Sequence, residues 1–156
     1  MQTATFAAGC FWGIEARFAA MEGVAETAVG YMGGHLSNPG YKEVCTDTTG
    51  HAEVVQLQFD ESVIDYDQLL SAFWQMHDPT TLNRQGPDTG SQYRSAIFVH
   101  NEQQRALAQE SKAELERNGI FTHPIVTEIS NAETFWRAEE YHQKYLEKNG
   151  RPFCGI

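Results

Sequence analysis

The chain has 156 residues, 41% apolar and 21% charged, and its 11 basic against 21 acidic residues leave a net charge of −10. That length suits one domain at roughly 100–200 residues per domain, and the composition excludes a disordered, collagen-like or coiled-coil chain. The acidity argues against a nucleic-acid partner, whose phosphates it would repel, and with no run near 18 apolar residues no membrane span is expected.

Thr3 to Ala8 reads as a strand. Phe11, Trp12, Ile14, Phe18 and Met21 follow near helical spacing, with Gly23 as a stop. Val24 to Tyr31 reads as a second strand ending at Gly33-Gly34. Val55, Leu57 and Phe59 alternate with Gln56 and Gln58, the clearest half-buried strand. Tyr66, Leu69, Leu70, Phe73 and Trp74 form an amphipathic helix with Asp65 as N-cap and Pro79 beyond its end. Ser95 to His100 is a strand, and the order so far is βαββαβ, the ferredoxin-like split βαβ arrangement. A helix is predicted from about Glu102 to Arg117, capped by Asn101 and stopped by Asn118-Gly119. Ile125 to Ile129 reads as another strand. A last helix is predicted from about Glu133 to Lys148, ended by Gly150-Arg151-Pro152. The expected fold is therefore α+β, a single two-layer domain over residues 1–156, with a flexible tail at about 149–156. Two aperiodic stretches, Met32 to Gly50 and Asp78 to Gln92, are long for loops in a compact domain, and loops of that length are commonly functional.

The start, Met1-Gln2-Thr3-Ala4-Thr5-Phe6, has neither a basic n-region nor a long apolar core, so no signal peptide is expected. The three cysteines, Cys10, Cys45 and Cys154, are an odd count and no secreted disulfide framework. A reducing cytoplasm is the default compartment, where free cysteines are core residues, metal ligands or reactive thiols.

Cys10 sits where a strand becomes a helix. A helix N-terminus favours negative charge and lowers a thiol pKa, and Gly9 lets the chain turn sharply there. A buried small hydrophobe is the competing reading. Phe11 and Trp12 cannot both face the core from one turn, so one is expected to line a pocket beside the sulfur, unless both pack at the helix end. Glu53, at the start of the best strand, could be a general acid if burial raises its pKa; an exposed strand-end carboxylate is the plainer alternative. Asp88 and Tyr93 on the second long loop and Tyr41 on the first are further candidates. None of the six histidines stands at metal-ligand spacing from another histidine or a cysteine, so no metal is expected; His77 reads as a helix cap. Cys154, in a tail bearing Gly and Pro, suits a thiol that reaches another sulfur, or is an incidental terminal thiol. Cys45 has no clear role.

Gly9-Cys10-Phe11-Trp12-Gly13 resembles the signature of the A-type peptide methionine sulfoxide reductases. Gly30-Tyr31-Met32-Gly33-Gly34, Asn38-Pro39-x-Tyr41, Thr49-Gly50-His51-Ala52-Glu53, His77-Asp78-Pro79, Arg84-Gln85-Gly86, Gln92-Tyr93-Arg94-Ser95 and Cys154-Gly155-Ile156 resemble the same family in the right order, so the likeness spans about Thr5 to Ile156. It implies reduction of the S epimer of methionine sulfoxide, free or in proteins. By matching motif, Cys10 would be the nucleophile and Glu53 the acid. Tyr41 and Tyr93 would donate to the sulfoxide oxygen, Asp88 would support the polar side, and Phe11 and Trp12 would hold the methyl group. Cys154 would resolve a Cys10 sulfenic acid to a disulfide recycled by thioredoxin, with no metal or organic cofactor and with a monomer expected. Some members carry a second recycling cysteine beyond the Cys-Gly-Ile match; the sequence as it stands has Cys154 resolving alone, or is truncated. Two other readings use the same residues differently. A thiol peroxidase would need Cys10 and Cys154 but no acid or methyl pocket, and a non-catalytic module on this fold would lose no thiols to substrate.

Overall fold

The computed structural model describes residues 1–149. From Gln2 the chain runs β1 (Gln2–Ala8), α1 (Phe11–Ala19), β2 (Val24–Met32), α2 (Tyr41–Cys45), β3 (Ala52–Phe59) and α3 (Tyr66–Met76). It continues through the short strands β4 (Arg84–Gln85) and β5 (Asp88–Thr89), then β6 (Ser95–Val99), α4 (Glu102–Arg117), β7 (Glu128–Asn131), β8 (Trp136–Arg137) and α5 (Tyr145–Asn149). Single 3-10 turns lie at Ser91–Tyr93 and Glu140–His142.

The main sheet has the order β7-β6-β1-β3-β2-β8. β3 lies antiparallel between β1 and β2, so the first βαβ unit is split by an inserted strand, as the motif order predicts. β7 adds parallel to β6 at one edge and β8 antiparallel to β2 at the other. The central part is the expected ferredoxin-like core, and the whole is a mixed α+β domain.

Period-two alternation sorts the side chains. Phe6, Tyr31, Val55, Leu57, Phe59 and Ile97 share a core with Ile14 and Phe18 of α1 and Leu69, Leu70 and Phe73 of α3. The Phe6 ring lies 5.1 Å from Phe18 and 5.2 Å from Phe73. Each such ring, taken fully out of water, contributes about 1.5–3 kcal/mol. Residues of opposite parity, Ala7, Met32, Val54, Ala96 and Phe98, form a second cluster on which Ala132 and Phe135 pack. The capping predictions hold. Asp65 and Gln68 form a reciprocal capping box on α3, and Asn101 Oδ1 accepts from the Gln104 amide at the start of α4.

Three expectations need correction. The long helix predicted over Glu133 to Lys148 is instead β8, a 3-10 turn and the five-residue α5. Phe135, Ala138, His142 and Tyr145 do recur at helical spacing, but the sheet edge outcompetes the helix. Gly30 and Tyr31 pair with Arg137 and Trp136, and the Ala138 amide donates to Val29 O. The strand predicted at Ile125 to Ile129 pairs only from Glu128 onward; the Val126 amide is taken by Pro79 O instead. The two aperiodic stretches also contain short elements, α2 in the first and the β4–β5 hairpin in the second. Among the described residues no helix is long and apolar enough to cross a membrane. The helix stop at Gly150-Arg151-Pro152 and the tail with Cys154 lie outside the described residues.

Candidate active site

Cys10 is the N-cap residue of α1 and is partly buried. The chain reaches it through Gly9, whose φ of +99° is open to glycine and strained for other residues. A Cβ on Gly9 would also stand 2.8 Å from Gln85 Cγ. The Gln85 carboxamide in turn bonds both backbone groups of Asp78: Oε1 accepts from its amide, and Nε2 donates to its carbonyl, each at 2.9 Å. The second loop is thus closed on itself, with Gln85 packed against the strand-to-helix turn that carries the cysteine.

Glu53 is not an exposed strand-end carboxylate. Extending the Val55–Leu57–Phe59 alternation back by two places it on the helix-covered face, 1% exposed. Its Oε1 accepts the Phe11 amide at 3.2 Å, at the first residue after Cys10. Its Oε2 is buried and has no hydrogen-bond partner among the described residues. Burial pushes the carboxyl up to about 8 and the Asp88 charge pushes the same way, against the Phe11 amide, which favours the anion. Glu53 is therefore mainly protonated at neutral pH.

Tyr41 opens α2, behind a Gly40 N-cap. Burial holds its hydroxyl well above the usual phenol range. A hydrogen bond shared with the Cys45 thiol and the Glu53 charge add to this. Tyr93 ends the 3-10 turn, and burial followed by the Glu53 charge pushes it up to about 12. Asp88 lies in β5, raised by burial. The structure thus brings Tyr41, Glu53, Asp88 and Tyr93 into one electrostatic neighbourhood, which Glu53 joins to the residue after Cys10. Cys45 belongs to it as well, through Tyr41.

The adjacent aromatics divide as their spacing requires. Phe11 is in the core, 5.8 Å from Tyr31. Trp12 is half-buried and stacks on Tyr145 at 3.8 Å between centroids. Its Nε1–H donates to His142 Nδ1 at 2.9 Å.

Loop one is pinned by a buried histidine. The Gly34 amide donates to His51 Nδ1 at 3.0 Å, which leaves Nε2–H to donate to Leu36 O at 2.7 Å. A Cβ on Gly34 would lie 2.4 Å from the His51 backbone nitrogen. His77 caps α3 as expected, with Nδ1–H directed at Phe73 O and Nε2 facing Ser95 Oγ.

Sequence reasoning missed the segment from Ala138 to Lys144. Glu139 Oε1 accepts from Tyr31 Oη at 3.1 Å, and its Oε2 accepts from the Tyr41 amide at 3.0 Å. Burial disfavours the Glu139 anion, but those donors outweigh it and hold the carboxyl below its ordinary value. Gln143 accepts from the Val29 amide and donates to Val29 O and Ala138 O. The Lys144 amide donates to Glu15 Oε1 on α1 at 2.7 Å. The run Glu139-Glu140-Tyr141-His142-Gln143 carries no local signal that would have found these roles, because His142 lies on the same helical stripe as Phe135, Ala138 and Tyr145.

The family model described as peptide methionine sulfoxide reductase matches residues 2–156. A curated relative named peptide methionine sulfoxide reductase MsrA, from Methanothermobacter thermautotrophicus, is 60% identical over 153 residues, covering 98% of this chain and 90% of its own. Among solved structures, reduced Mxr1 from Saccharomyces cerevisiae superposes with a TM-score of 0.91 at 37% identity, over 98% of this chain and 88% of that one. The same yeast protein in complex with Trx2 superposes with a TM-score of 0.65 at 25% identity, over 92% and 84%.

Proposed function

The chain belongs to the peptide methionine sulfoxide reductase family and reduces methionine sulfoxide in peptides, and on that footing we propose how its residues divide the reaction. The observation that carries the proposal is Glu53: a buried carboxyl, tied by Oε1 to the amide after Cys10 and with Oε2 meeting no partner among the described residues, where burial favours the protonated form.

A sulfoxide is a poor electrophile until its oxygen is protonated or strongly hydrogen-bonded. The Cys10 sulfur attacks the substrate sulfur at the N-terminus of α1, where the helix dipole favours the thiolate. Glu53 delivers a proton to the oxygen as a general acid, and the Tyr41 and Tyr93 hydroxyls donate to it. Asp88 supports the polar side and helps keep Glu53 protonated. Phe11 forms the floor and Trp12 the wall that hold the methyl group, and this arrangement selects the S epimer.

The balance closes without a metal or organic cofactor. The sulfoxide gains two electrons and becomes the thioether. Cys10 loses two and carries the oxygen as a sulfenic acid. Cys154 condenses with it, releasing water and forming a disulfide, and a thioredoxin dithiol returns both cysteines to thiols. Use of thioredoxin is supported by the yeast relative solved with Trx2. Residues 1–156 act in this scheme as one catalytic domain and as a monomer, in a reducing cytoplasm.

The test is incubation of reduced protein with each epimer of a methionine sulfoxide peptide, followed by mass spectrometry of peptide and protein. The S epimer should lose one oxygen while the protein loses two thiols, and Cys10→Ser should do neither. Turnover by Cys10→Ser, or equal use of both epimers, would overturn the assignment.

A further inference from the structure

The Trp12–His142 contact fixes a proton. An indole Nε1–H can only donate, so His142 Nδ1 must present its lone pair at 2.9 Å, and in the neutral ring the proton sits on Nε2. That nitrogen is buried and has no hydrogen-bond partner among the described residues. The ring is fully enclosed and therefore keeps its Nδ1 acceptor at the expense of an unmet Nε2 donor. Unmet buried donors are rare where nothing requires them.

The ring also sits between two parts of the site. It lies 4.3 Å from the Tyr41 ring, 5.3 Å from Phe11 and 5.6 Å from Trp12, centroid to centroid. Tyr145 covers one face of the Trp12 indole, and stacking alone leaves an indole free to slide and rotate in its plane. A directional bond to Nε1 removes that freedom.

We propose that His142 is a positioning residue for the substrate's methyl group: its unprotonated Nδ1 fixes the Trp12 indole in the plane where it forms the pocket wall. The proposal rests on the reading that Trp12 contacts that methyl group. His142 touches no reacting atom. It acts through Trp12, so its loss should weaken binding of the sulfoxide while leaving proton delivery from Glu53 alone.

Two substitutions separate the acceptor from the ring. Asn carries its side-chain oxygen at the position of Nδ1, whereas Gln carries its polar atoms at the depth of Nε2; both lack the aromatic ring. His142→Gln should raise KM for a methionine-S-sulfoxide peptide roughly three- to tenfold, the size expected for one lost neutral hydrogen bond, with kcat within about twofold. His142→Asn should restore KM to within about twofold of wild type, a difference smaller than one such bond. The indole N–H resonance of Trp12 should stay in its wild-type position in His142→Asn and move in His142→Gln. In unsubstituted protein, nitrogen NMR of the His142 ring should show Nδ1 without a proton, a reading that needs no variant to fold.

Equal impairment in the two variants, an unmoved Trp12 resonance in His142→Gln, or a proton found on Nδ1 would each overturn the proposal. Trp12→Phe distinguishes the two levels. If it leaves KM unchanged, the methyl-pocket reading fails; if it raises KM while His142→Gln does not, only the role of His142 fails.

Discussion

Glu53 Oε1 accepts a hydrogen bond from the backbone amide of Phe11 at 3.2 Å, while the other oxygen of the same carboxyl is buried and meets no partner among the described residues. One amide holds the carboxyl beside Cys10 but is too little to keep it ionised against burial. Replacing Glu53 with Gln keeps an oxygen for the Phe11 amide and removes the transferable proton. The single-turnover rate of sulfoxide reduction should fall by about 10²–10⁴-fold, the usual worth of a general acid, while Cys10 remains open to alkylation. In the wild type the same rate should decline as pH rises past about 8, because the acid then loses its proton. A rate within about threefold of wild type for the variant, well inside the general-acid range, would place the acid elsewhere.

The same carboxyl should cost stability. In the unfolded chain it ionises above its ordinary 4.5, whereas in the folded protein it holds its proton to about 8. The folded state therefore binds more protons between those values, and its stability falls as pH rises through that window. By linkage the penalty at pH 8 is on the order of 4 kcal/mol. Glu53→Gln should be slowed as above yet more stable than wild type at pH 8, with the gain vanishing near pH 4. Denaturant titrations at the two pH values measure it, and an equal difference at both would contradict the linkage.

His77 has the opposite sign. Burial lowers its pKa to about 4 from an ordinary 6.5, with both ring nitrogens engaged by Phe73 O and Ser95 Oγ. The unfolded chain takes up a proton below 6.5 that the folded ring refuses until about 4. Its contribution is thus complete above that window and is lost as pH falls through it. Between pH 7.5 and pH 5 the wild type should lose about 2 kcal/mol more than His77→Asn, as read from unfolding midpoints at the two pH values.

Cys154→Ser tests the division between chemistry and recycling. In the proposed scheme reduction is complete once Cys10 carries the oxygen, so the variant should still convert about one equivalent of sulfoxide in a single burst. Steady turnover with thioredoxin should collapse, and a sulfenic acid trappable by dimedone should accumulate on Cys10. Normal thioredoxin-supported turnover would mean that Cys45, or thioredoxin itself, resolves Cys10. Loss of the burst would place Cys154 in the reductive step.

Much of this was legible from local rules. The period-two run Val55–Leu57–Phe59, carried back two residues, already points Glu53 into the core, and Asp65 and Asn101 announce their helices by capping chemistry. The segment after Glu133 was not legible. Its residues keep helical spacing, and only the competition from the β2 edge, together with the Gln143 carboxamide bonding Val29 and Ala138, draws it away from a helix. His142 stayed hidden for the same reason. A histidine acquires meaning from the indole 130 positions earlier in the chain, and no pattern within its own segment records that distance.

The stack of Tyr145 on Trp12 fixes the start of α5 against the helix that Cys10 begins. Cys154 follows Asn149, the last residue of α5, by 154 − 149 = 5 positions. Five residues of chain span at most roughly 15–18 Å. Short flexible tethers that can span their two sites give effective concentrations on the order of millimolar. For the resolving role proposed for Cys154, disulfide closure is then a first-order event whose rate is independent of protein concentration. In that role, free thiols in the surroundings well below that concentration would compete poorly for the sulfenic acid.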